Sequence, residues 1–166
     1  NANVTLQELR NRRYFVLRTR EPSELGKSIN QCWRAELPLV PNRSTRFSGG
    51  GVLWWSPDEW LLHLDEDAYL PRTSVKLPGG HVVDLTGGLV SIELGGPGAQ
   101  ALLAAGCWLD FHPNVFRDGD VAQTLFGKTD VTVFMTSDAP SYEVIVRRSF
   151  APYLWHWLCH AAGFLD

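Results

Sequence analysis

The chain has little cysteine, no long apolar run and no low-complexity segment, and each absence excludes a class of protein. Its 166 residues include three cysteines, Cys32, Cys107 and Cys159. They are odd in number, widely spaced and not arranged as CxxC, which argues against a disulfide framework and favours a reducing compartment. No apolar run approaches the roughly 20 residues of a membrane span, and no signal-peptide pattern is present. We therefore expect a cytoplasmic protein without a membrane segment.

What is present indicates a folded domain with uneven charge. Hydrophobic residues make up 45% of the chain and charged residues 20%, a composition typical of globular proteins. The net charge is −3, yet residues 1–50 hold nine Lys and Arg against four Asp and Glu. No motif of a DNA- or RNA-binding module accompanies this excess. We expect a solvated or partner-facing segment, with no nucleic acid bound, around the basic cluster Arg10, Arg12, Arg13, Arg18 and Arg20.

Residues 1–51 give weak signals for secondary structure. Thr5-Leu6-Gln7-Glu8 fits a capping box and predicts a short helix, and Tyr14 to Thr19 predicts a strand. The stretch from Glu21 to Gly50 is rich in Pro, Asn, Ser and Gly, which predicts an irregular connection with a glycine hinge. We expect an irregular, basic N-terminal region over residues 1–51 that forms one compact unit with an α+β domain over residues 52–166.

From Val52 onwards the pattern predicts strands joined by tight turns. Hairpins are predicted around Pro57-Asp58, Thr86-Gly87-Gly88 and Gly127-Lys128, because these residues favour turn geometry. A further strand is predicted at Tyr142, and helices at Ala99 and Ser149. Hairpins place strands antiparallel, so the expected fold class is α+β, a hairpin-rich antiparallel sheet with helices on one face.

The stretch "GGPGAQA" (Gly95 to Ala101) can be interpreted as the phosphate-binding pattern G-x-G-x-x-A. That interpretation needs a parallel strand and a crossover helix, whereas the preceding strand is predicted in a hairpin and the following helix is short. Pro97 also removes one backbone donor. Asp118 and Asp120 lie at the distance of a ribose-binding acid but in a Gly-Asp turn. We expect the glycines to shape a turn instead of binding a nucleotide.

Three other groups of residues could carry chemistry. His156 and His160 lie four residues apart beside Cys159, a spacing that suits zinc, but no third or fourth ligand is evident. Cys107 or Cys159 could be a nucleophile, although the G-x-S-x-G elbow is absent. Asp84 and Glu93 could form a carboxylate pair across a hairpin. We expect each group to be structural, with no catalytic, cofactor-binding or metal-binding residue in this chain.

The chain contains seven tryptophans, and surplus aromatic residues indicate a large core, a ligand site or a protein interface. Strand alternation predicts that Trp54 and Trp55 point to opposite faces of a sheet, so one of them faces outward. An exposed tryptophan side chain can be buried by a protein partner, and tryptophan is enriched at the centres of protein interfaces. The other candidates are Trp60, Trp108, Trp155 and Trp157.

About two thirds of the chain resembles the gamma subunits of heterotetrameric sarcosine oxidases. Four segments carry the resemblance in the family's order: Leu53–Leu62, His81–Pro113, Gly119–Lys128 and Tyr142–Leu158. That family is in turn distantly similar to the folate-binding domain of glycine-cleavage aminomethyltransferases. Asp84-Leu85-Thr86 and Gly96-Pro97-Gly98-Ala99 stand in the position of a recurring pattern there, and Asp130 lies near the position of the catalytic Asp but without its flanking motif.

The resemblance implies a small structural subunit that binds no cofactor of its own. Its partners would be alpha, beta and delta subunits, chiefly the large alpha subunit, with FAD, FMN, NAD and zinc in those other chains. The complex would oxidise sarcosine to glycine with hydrogen peroxide and, with tetrahydrofolate, 5,10-methylenetetrahydrofolate. Docking is expected through exposed aromatic residues and the basic N-terminal region. The alternatives are a stand-alone folate-binding or folate-dependent aminomethyltransferase-like protein and a free-standing interaction module.

Overall fold

The computed structural model describes residues 4–68, 80–137 and 139–164. The strands are β1 (Thr5–Leu9), β2 (Arg13–Thr19), β3 (Ser44–Phe47), β4 (Gly50–Ser56), β5 (Glu59–Leu64), β6 (Gly80–Asp84), β7 (Leu89–Gly95), β8 (Val121–Phe126), β9 (Thr129–Ser137) and β10 (Ser141–Arg147). The helices are α1 (Pro22–Trp33), α2 (Ala99–Gly106) and α3 (Ala151–Ala162), the last preceded by a 3₁₀ turn over Arg148–Phe150. In the described residues, no helix has the length and apolarity that crossing a membrane requires.

The chain divides into two compact units. Unit 1 contains the residues up to Arg10 and those from Gly87 onwards, and unit 2 is the continuous segment Asn11–Thr86. Residue 51, where composition suggested a boundary, lies inside β4 of unit 2, so the observed division differs from the expected one.

Unit 1 is an antiparallel sheet with two helices on one face. Sheet A has the strand order β1-β7-β10-β9-β8, and each neighbouring pair is antiparallel. Alternate residues of these strands bury one face, as the period-two pattern requires. Leu102 and Leu103 of α2 and Leu154 and Leu158 of α3 pack in the same core as Ile92 of β7.

Unit 2 repeats the arrangement with one helix. Sheet B has the order β3-β4-β5-β2-β6, again antiparallel throughout. Leu25 and Ile29, one turn apart on α1, pack with Leu17 and Leu62 of the sheet. The α+β class with antiparallel sheets is therefore confirmed, although the strands form two sheets where one was expected.

The short helix predicted from the capping box is wrong. Thr5 to Leu9 form strand β1, which pairs with β7 so that Leu6 lies opposite Leu94. A helix this short is marginal in water without packing partners. The ladder to β7 and the packing of Leu6 on the core outweigh the cap, which is worth about 1 kcal/mol.

The irregular connection predicted from Glu21 to Gly50 is also wrong, because it contains α1 and β3. Pro22 occupies the first turn of α1, where its missing N–H costs nothing. Arg34 ends the helix in a left-handed conformation and its N–H donates to the Asn30 carbonyl at 2.8 Å. Gly50 and Gly51 belong to β4 and do not form a hinge.

The hairpin predicted around Thr86-Gly87-Gly88 does not form, because β6 and β7 join different sheets. β6 pairs with β2 and β7 pairs with β1 and β10. The ladder to β2 continues past β6, where the Leu85 N–H donates to Tyr14 O at 2.8 Å and the Tyr14 N–H to Thr86 Oγ1 at 3.1 Å. The other predicted elements are confirmed, including the β4–β5 and β8–β9 hairpins, β10 and both helices of unit 1.

Candidate functional site

The glycine-rich corner joins β7 to α2 and is closed by protein contacts. Gly96 has φ +99°, a conformation that favours glycine. The N–H groups of Gly96, Ala99 and Leu102 donate to the carbonyls of Pro140, Gly96 and Gly98 respectively. β7 is antiparallel to both neighbours, so the parallel strand required by a dinucleotide site is missing from this corner. The geometry does not fit a pyrophosphate.

The acids considered with this corner are occupied elsewhere or lie apart from it. Asp120 Oδ2 accepts the Arg117 N–H at 2.7 Å, which closes the turn around Gly119. Asp118 lies in the same turn. Asp130 is exposed on β9 opposite Leu125, on the face of sheet A turned away from the core.

His156, Cys159 and His160 lie on the exposed side of α3. They line a shallow groove with Tyr153 and Trp157, and the His160 ring meets Phe164 edge to face at 4.9 Å. Within the described ranges, no cluster of three or more His, Cys, Asp or Glu side chains is arranged to hold a metal ion.

The cysteines occupy three different environments. Cys107 is buried and its Sγ lies 3.5 Å from Thr124 Oγ1, as expected of a small core residue. Cys32 is half-buried, and burial raises the pKa of its thiol, which disfavours the nucleophilic thiolate. Cys159 is exposed.

Asp84 and Glu93, the candidate carboxylate pair, belong to different sheets and different units, so the hairpin that would have placed them opposite each other is not formed. Asp84 accepts the Thr86 N–H at 2.8 Å. Glu93 lies directly opposite Glu143 of β10. Glu143 is 2% exposed, and the Ser141 hydroxyl donates to Glu93 Oε1 at 3.5 Å. Sequence reasoning missed Glu143, whose signal is a single acid within an apolar strand.

The tryptophans divide between core and surface. Trp60 is buried and its Nε1 donates to Pro38 O at 2.8 Å. Trp54 packs against the core of unit 2, and its neighbour Trp55 is half-buried at a register shift in the β4–β5 ladder. Trp155 and Trp157 pack partly against the core of unit 1. Trp108, directly after α2, is 100% exposed.

Much of the basic N-terminal cluster is paired within the chain. Arg10 bonds Glu8, Arg12 bonds Asp65, and Arg18 bonds Asp58 and Glu59. Arg13 donates to the backbone carbonyls of Asp65 and Ala68. The carboxylate partners offset the positive charges of Arg10, Arg12 and Arg18, whereas the carbonyl partners of Arg13 carry no net charge.

His63 is the most perturbed titratable group and was missed by sequence reasoning. It lies on β5 between two core leucines, is 4% exposed, and burial together with Arg12 lowers its pKa to about 3. Arg12 Nη1 lies 3.5 Å from His63 Nδ1, and Arg12 Nε bonds Asp65 at 3.0 Å. Because Nδ1 accepts from Arg12, the ring proton belongs on Nε2. The signal in the sequence is a lone histidine within the apolar strand "EWLLHL".

Gly51 has no side chain and therefore leaves room for the His63 imidazole. It pairs with His63 across β4 and β5, and a Cβ built on Gly51 would lie 2.6 Å from His63 Nε2. The arrangement accommodates a neutral histidine inside the sheet.

Comparison with known families and proteins gives consistent matches. The family model described as sarcosine oxidase, gamma subunit family, matches residues 23–163. A curated sarcosine oxidase subunit gamma from Corynebacterium sp. (strain U-96) is 33% identical over 117 residues, which are 69% of this chain and 57% of the relative. The corresponding subunit from Corynebacterium sp. (strain P-1) is 34% identical over 116 residues, again 57% of that protein. The chain thus spans little more than half the length of these curated relatives.

Two solved structures are similar in fold. A heterotetrameric sarcosine oxidase from Corynebacterium sp. U-96, in complex with pyrrole 2-carboxylate, contains a chain that matches 98% of this one with a TM-score of 0.85 and 27% identity, over 86% of that chain. The glycine cleavage system aminomethyltransferase T from Bartonella henselae matches 95% of this chain with a TM-score of 0.67 and 14% identity, over 46% of that chain. The second likeness concerns the fold alone.

Proposed function

This chain belongs to the sarcosine oxidase gamma subunit family, and from that membership we propose that it is a small structural subunit of a heterotetrameric sarcosine oxidase. The observation that carries the proposal is the match of 98% of the chain, with a TM-score of 0.85, to a chain of such a complex. A likeness that spans almost the whole chain supports a shared role for the whole chain.

In this proposal the chemistry belongs to the other subunits. The complex oxidatively demethylates sarcosine to glycine with hydrogen peroxide, and with tetrahydrofolate it yields 5,10-methylenetetrahydrofolate. FAD, FMN, NAD and zinc are assigned to the alpha, beta and delta chains, and the large alpha chain is the main partner. The assembly is cytoplasmic, in line with the cysteine pattern.

The described geometry supports a non-catalytic role for this chain. The most perturbed titratable group, His63, is buried and neutral. Three donors of the glycine corner, the N–H groups of Gly96, Ala99 and Leu102, are used by protein carbonyls, and within the described ranges no group of three or more His, Cys, Asp or Glu side chains is arranged to hold a metal ion. The catalytic groups that P-loop, metal or triad chemistry needs do not converge at any of these places.

Co-expression with the other three subunits tests the proposal. An affinity tag on this chain should recover all four chains in equal amounts, with the visible absorption of flavin in the complex and none in the isolated chain. Stoichiometric flavin on the isolated chain would contradict the non-catalytic assignment. Elution of the chain as a monomer from its native source would contradict the complex.

The alternative of a stand-alone folate protein has a separate test. The aminomethyltransferase likeness carries 14% identity and covers less than half of that enzyme, so it favours a shared fold over a shared activity. Calorimetry of the isolated chain with tetrahydrofolate should give no heat of binding. A saturable heat with one site per chain would favour the alternative.

A further inference from the structure

The two helices of unit 1 carry no formal charge. No Asp, Glu, Lys or Arg occurs between Glu93 and Asp110, or between Arg148 and Asp166, and these intervals contain α2 and α3 whole. A helix on the surface of a globular protein normally places charged and polar residues on its outer side. Helix α1 of unit 2 follows that rule with Glu24 and Lys27, which bond each other at 2.6 Å.

Both helices nevertheless have an outer side that is open in this chain. Their inner sides bury leucines in the core of unit 1. The exposed positions are Ala101, Ala104 and Ala105 on α2 and Pro152, Tyr153, His156, Cys159 and His160 on α3. The two helices are neighbours, because a Cβ built on Gly106 at the end of α2 would lie 2.9 Å from the Trp157 ring of α3. We call this combined surface the neutral face.

Large aromatic residues border the neutral face. Trp108 follows α2 and is 100% exposed, and Phe164 follows α3 and is 75% exposed. Single exposed apolar residues are ordinary, but large exposed apolar patches mark interaction sites. Depletion of charged residues with enrichment of Trp, Tyr and Phe is the composition of an interface core.

We propose that the neutral face is the surface through which this chain docks on an unlike subunit, an inference that rests on the proposed function. Charge complementarity defines the partner surface. An uncharged face cannot pair a buried charge, and an unpaired buried charge costs several kcal/mol. The partner surface is therefore apolar at its centre, with acceptors for the exposed histidine N–H groups.

Two positively charged residues lie at the edge of the neutral face. Lys128 is exposed and its backbone N–H donates to the Tyr153 hydroxyl at 3.2 Å, so it lies beside the start of α3. Arg148, also exposed, lies in the 3₁₀ turn that precedes α3. Both are basic, and we expect acidic side chains on the partner at this edge.

The same features disfavour a lipid surface as the occupant. Helices that lie in a membrane interface are rich in Lys and Arg on their polar side, whereas α3 contains neither. An unlike protein subunit accounts for both the absence of charge and the exposed aromatic rings, because protein interfaces of permanent complexes resemble a protein core.

Adding one negative charge to the neutral face tests the inference in the four-chain complex. His156→Glu and Ala104→Glu each introduce a carboxylate at an exposed helical position, and Glu is a good helix former. Gln31→Glu adds the same charge at an exposed position of α1 and is the matched control. All chains are co-expressed with the other three subunits, and recovery on a tagged partner is measured beside circular dichroism of each free chain.

We expect both neutral-face variants to keep the wild-type circular dichroism while their recovery in the complex falls at least tenfold, with Gln31→Glu unchanged. Wild-type recovery of folded His156→Glu and Ala104→Glu would overturn the inference. If one variant unfolds, the other decides. Failure of the wild-type chain to co-purify would refute the proposed function itself. Dimerisation of the free chain that either variant abolishes, or its binding to phosphatidylcholine vesicles, would overturn the choice of partner.

Cys159 gives a second measurement without any substitution. It is the exposed cysteine on α3, whereas Cys107 is buried and Cys32 is half-buried on α1. Maleimide labelling followed by mass spectrometry compares the free chain with the complex. We expect Cys159 to be labelled at least tenfold more slowly in the complex and Cys32 to change less than Cys159. Equal labelling of Cys159 in both samples would contradict burial of the neutral face.

Discussion

At the scale of single residues, His63 shows how a sheet can hold a neutral imidazole. Its neighbours on β5 are core leucines, and its strand partner Gly51 supplies no side chain. Burial disfavours the charged form, and the Arg12 guanidinium opposes a second positive charge beside it. Asp65 favours the charged form but is outweighed, so the pKa falls to about 3.

This depressed pKa predicts a loss of stability in mild acid. The unfolded imidazole binds a proton below its ordinary pKa of 6.5, while the folded one binds it only near 3. Stability is therefore complete above pH 6.5 and falls as pH drops toward 3, and by linkage it is lower by about 2 kcal/mol at pH 5 than at pH 7.5. Urea unfolding at a series of pH values measures this.

His63→Gln is the control for that measurement, because an amide can accept from Arg12 but does not titrate. Its stability should change by less than about 0.5 kcal/mol between pH 7.5 and pH 5. An equal acid loss in the wild type and the variant would assign the effect to other groups.

Two residue-level features lay beyond sequence reasoning. The candidate pair Asp84 and Glu93 was chosen from an assumed hairpin, and the observed neighbour of Glu93 is Glu143, about 50 residues away in the sequence. The only local indication that His63 is buried is its position in an apolar strand. Partners across a sheet depend on pairing register, and a single sequence does not specify register over long distances.

At the scale of elements, the glycines of α1 and β4 differ in how much room they leave for a side chain. A Cβ on Gly26 would meet only Leu37 Cβ at 3.7 Å, an ordinary contact, whereas a Cβ on Gly51 would meet His63 Nε2 at 2.6 Å and Thr45 O at 3.2 Å. The helix leaves room for a methyl group at its glycine, and the strand pair does not.

The same substitution should therefore change stability in opposite directions. Gly26→Ala lowers the entropy of the unfolded chain and should stabilise by about 0.5–1 kcal/mol. Gly51→Ala overpacks the sheet and should destabilise by about 1–3 kcal/mol. Urea midpoints at pH 7.5 measure both, and a shift of the two variants in the same direction would contradict the packing described for β4 and β5.

The elements that sequence predicted are those whose partners are local. The β4–β5 and β8–β9 hairpins close through two-residue turns at Pro57-Asp58 and Gly127-Lys128. Pro, Asp and Gly favour turn conformations, so these turns can be recognised from the sequence. β1 was predicted as a helix, and β6 was predicted as a strand but paired with β7, because the actual partner of each strand lies far along the chain. α1 was missed although Leu25 and Ile29 have helical spacing, because its Pro, Ser, Asn and Gly content outweighed that signal.

At the scale of the whole molecule, the chain passes between its two units after Arg10 and again after Thr86. The glycines at 49–51 suggested a boundary from composition, but Gly50 and Gly51 serve close strand packing. The passage at Thr86 is an exposed turn with Gly87 at φ +87°. It therefore has the character of a connection between units.

This division predicts where the chain tolerates an insertion. A protease recognition sequence between Thr86 and Gly87 should leave the far-ultraviolet circular dichroism within about 10% of wild type, before and after cleavage, because insertions are tolerated at exposed turns. The same sequence between Gly50 and Gly51 interrupts β4 and should lower the strand signal before any cleavage. Equal tolerance at both positions would contradict the observed units.

The strand pairing of β1 also bears on how the protein emerges from the ribosome. Thr5 to Leu9 pair with Leu89 to Gly95, which are synthesised only after all of unit 2. The backbone N–H and C=O groups of Thr5 to Leu9 therefore stay without their strand partners during that time. At the usual rate of translation this delay is on the order of ten seconds. Unit 2 is continuous and can complete its own sheet in that interval, while the unpaired segment Thr5–Leu9 remains a target for chaperones until its partner strand is synthesised.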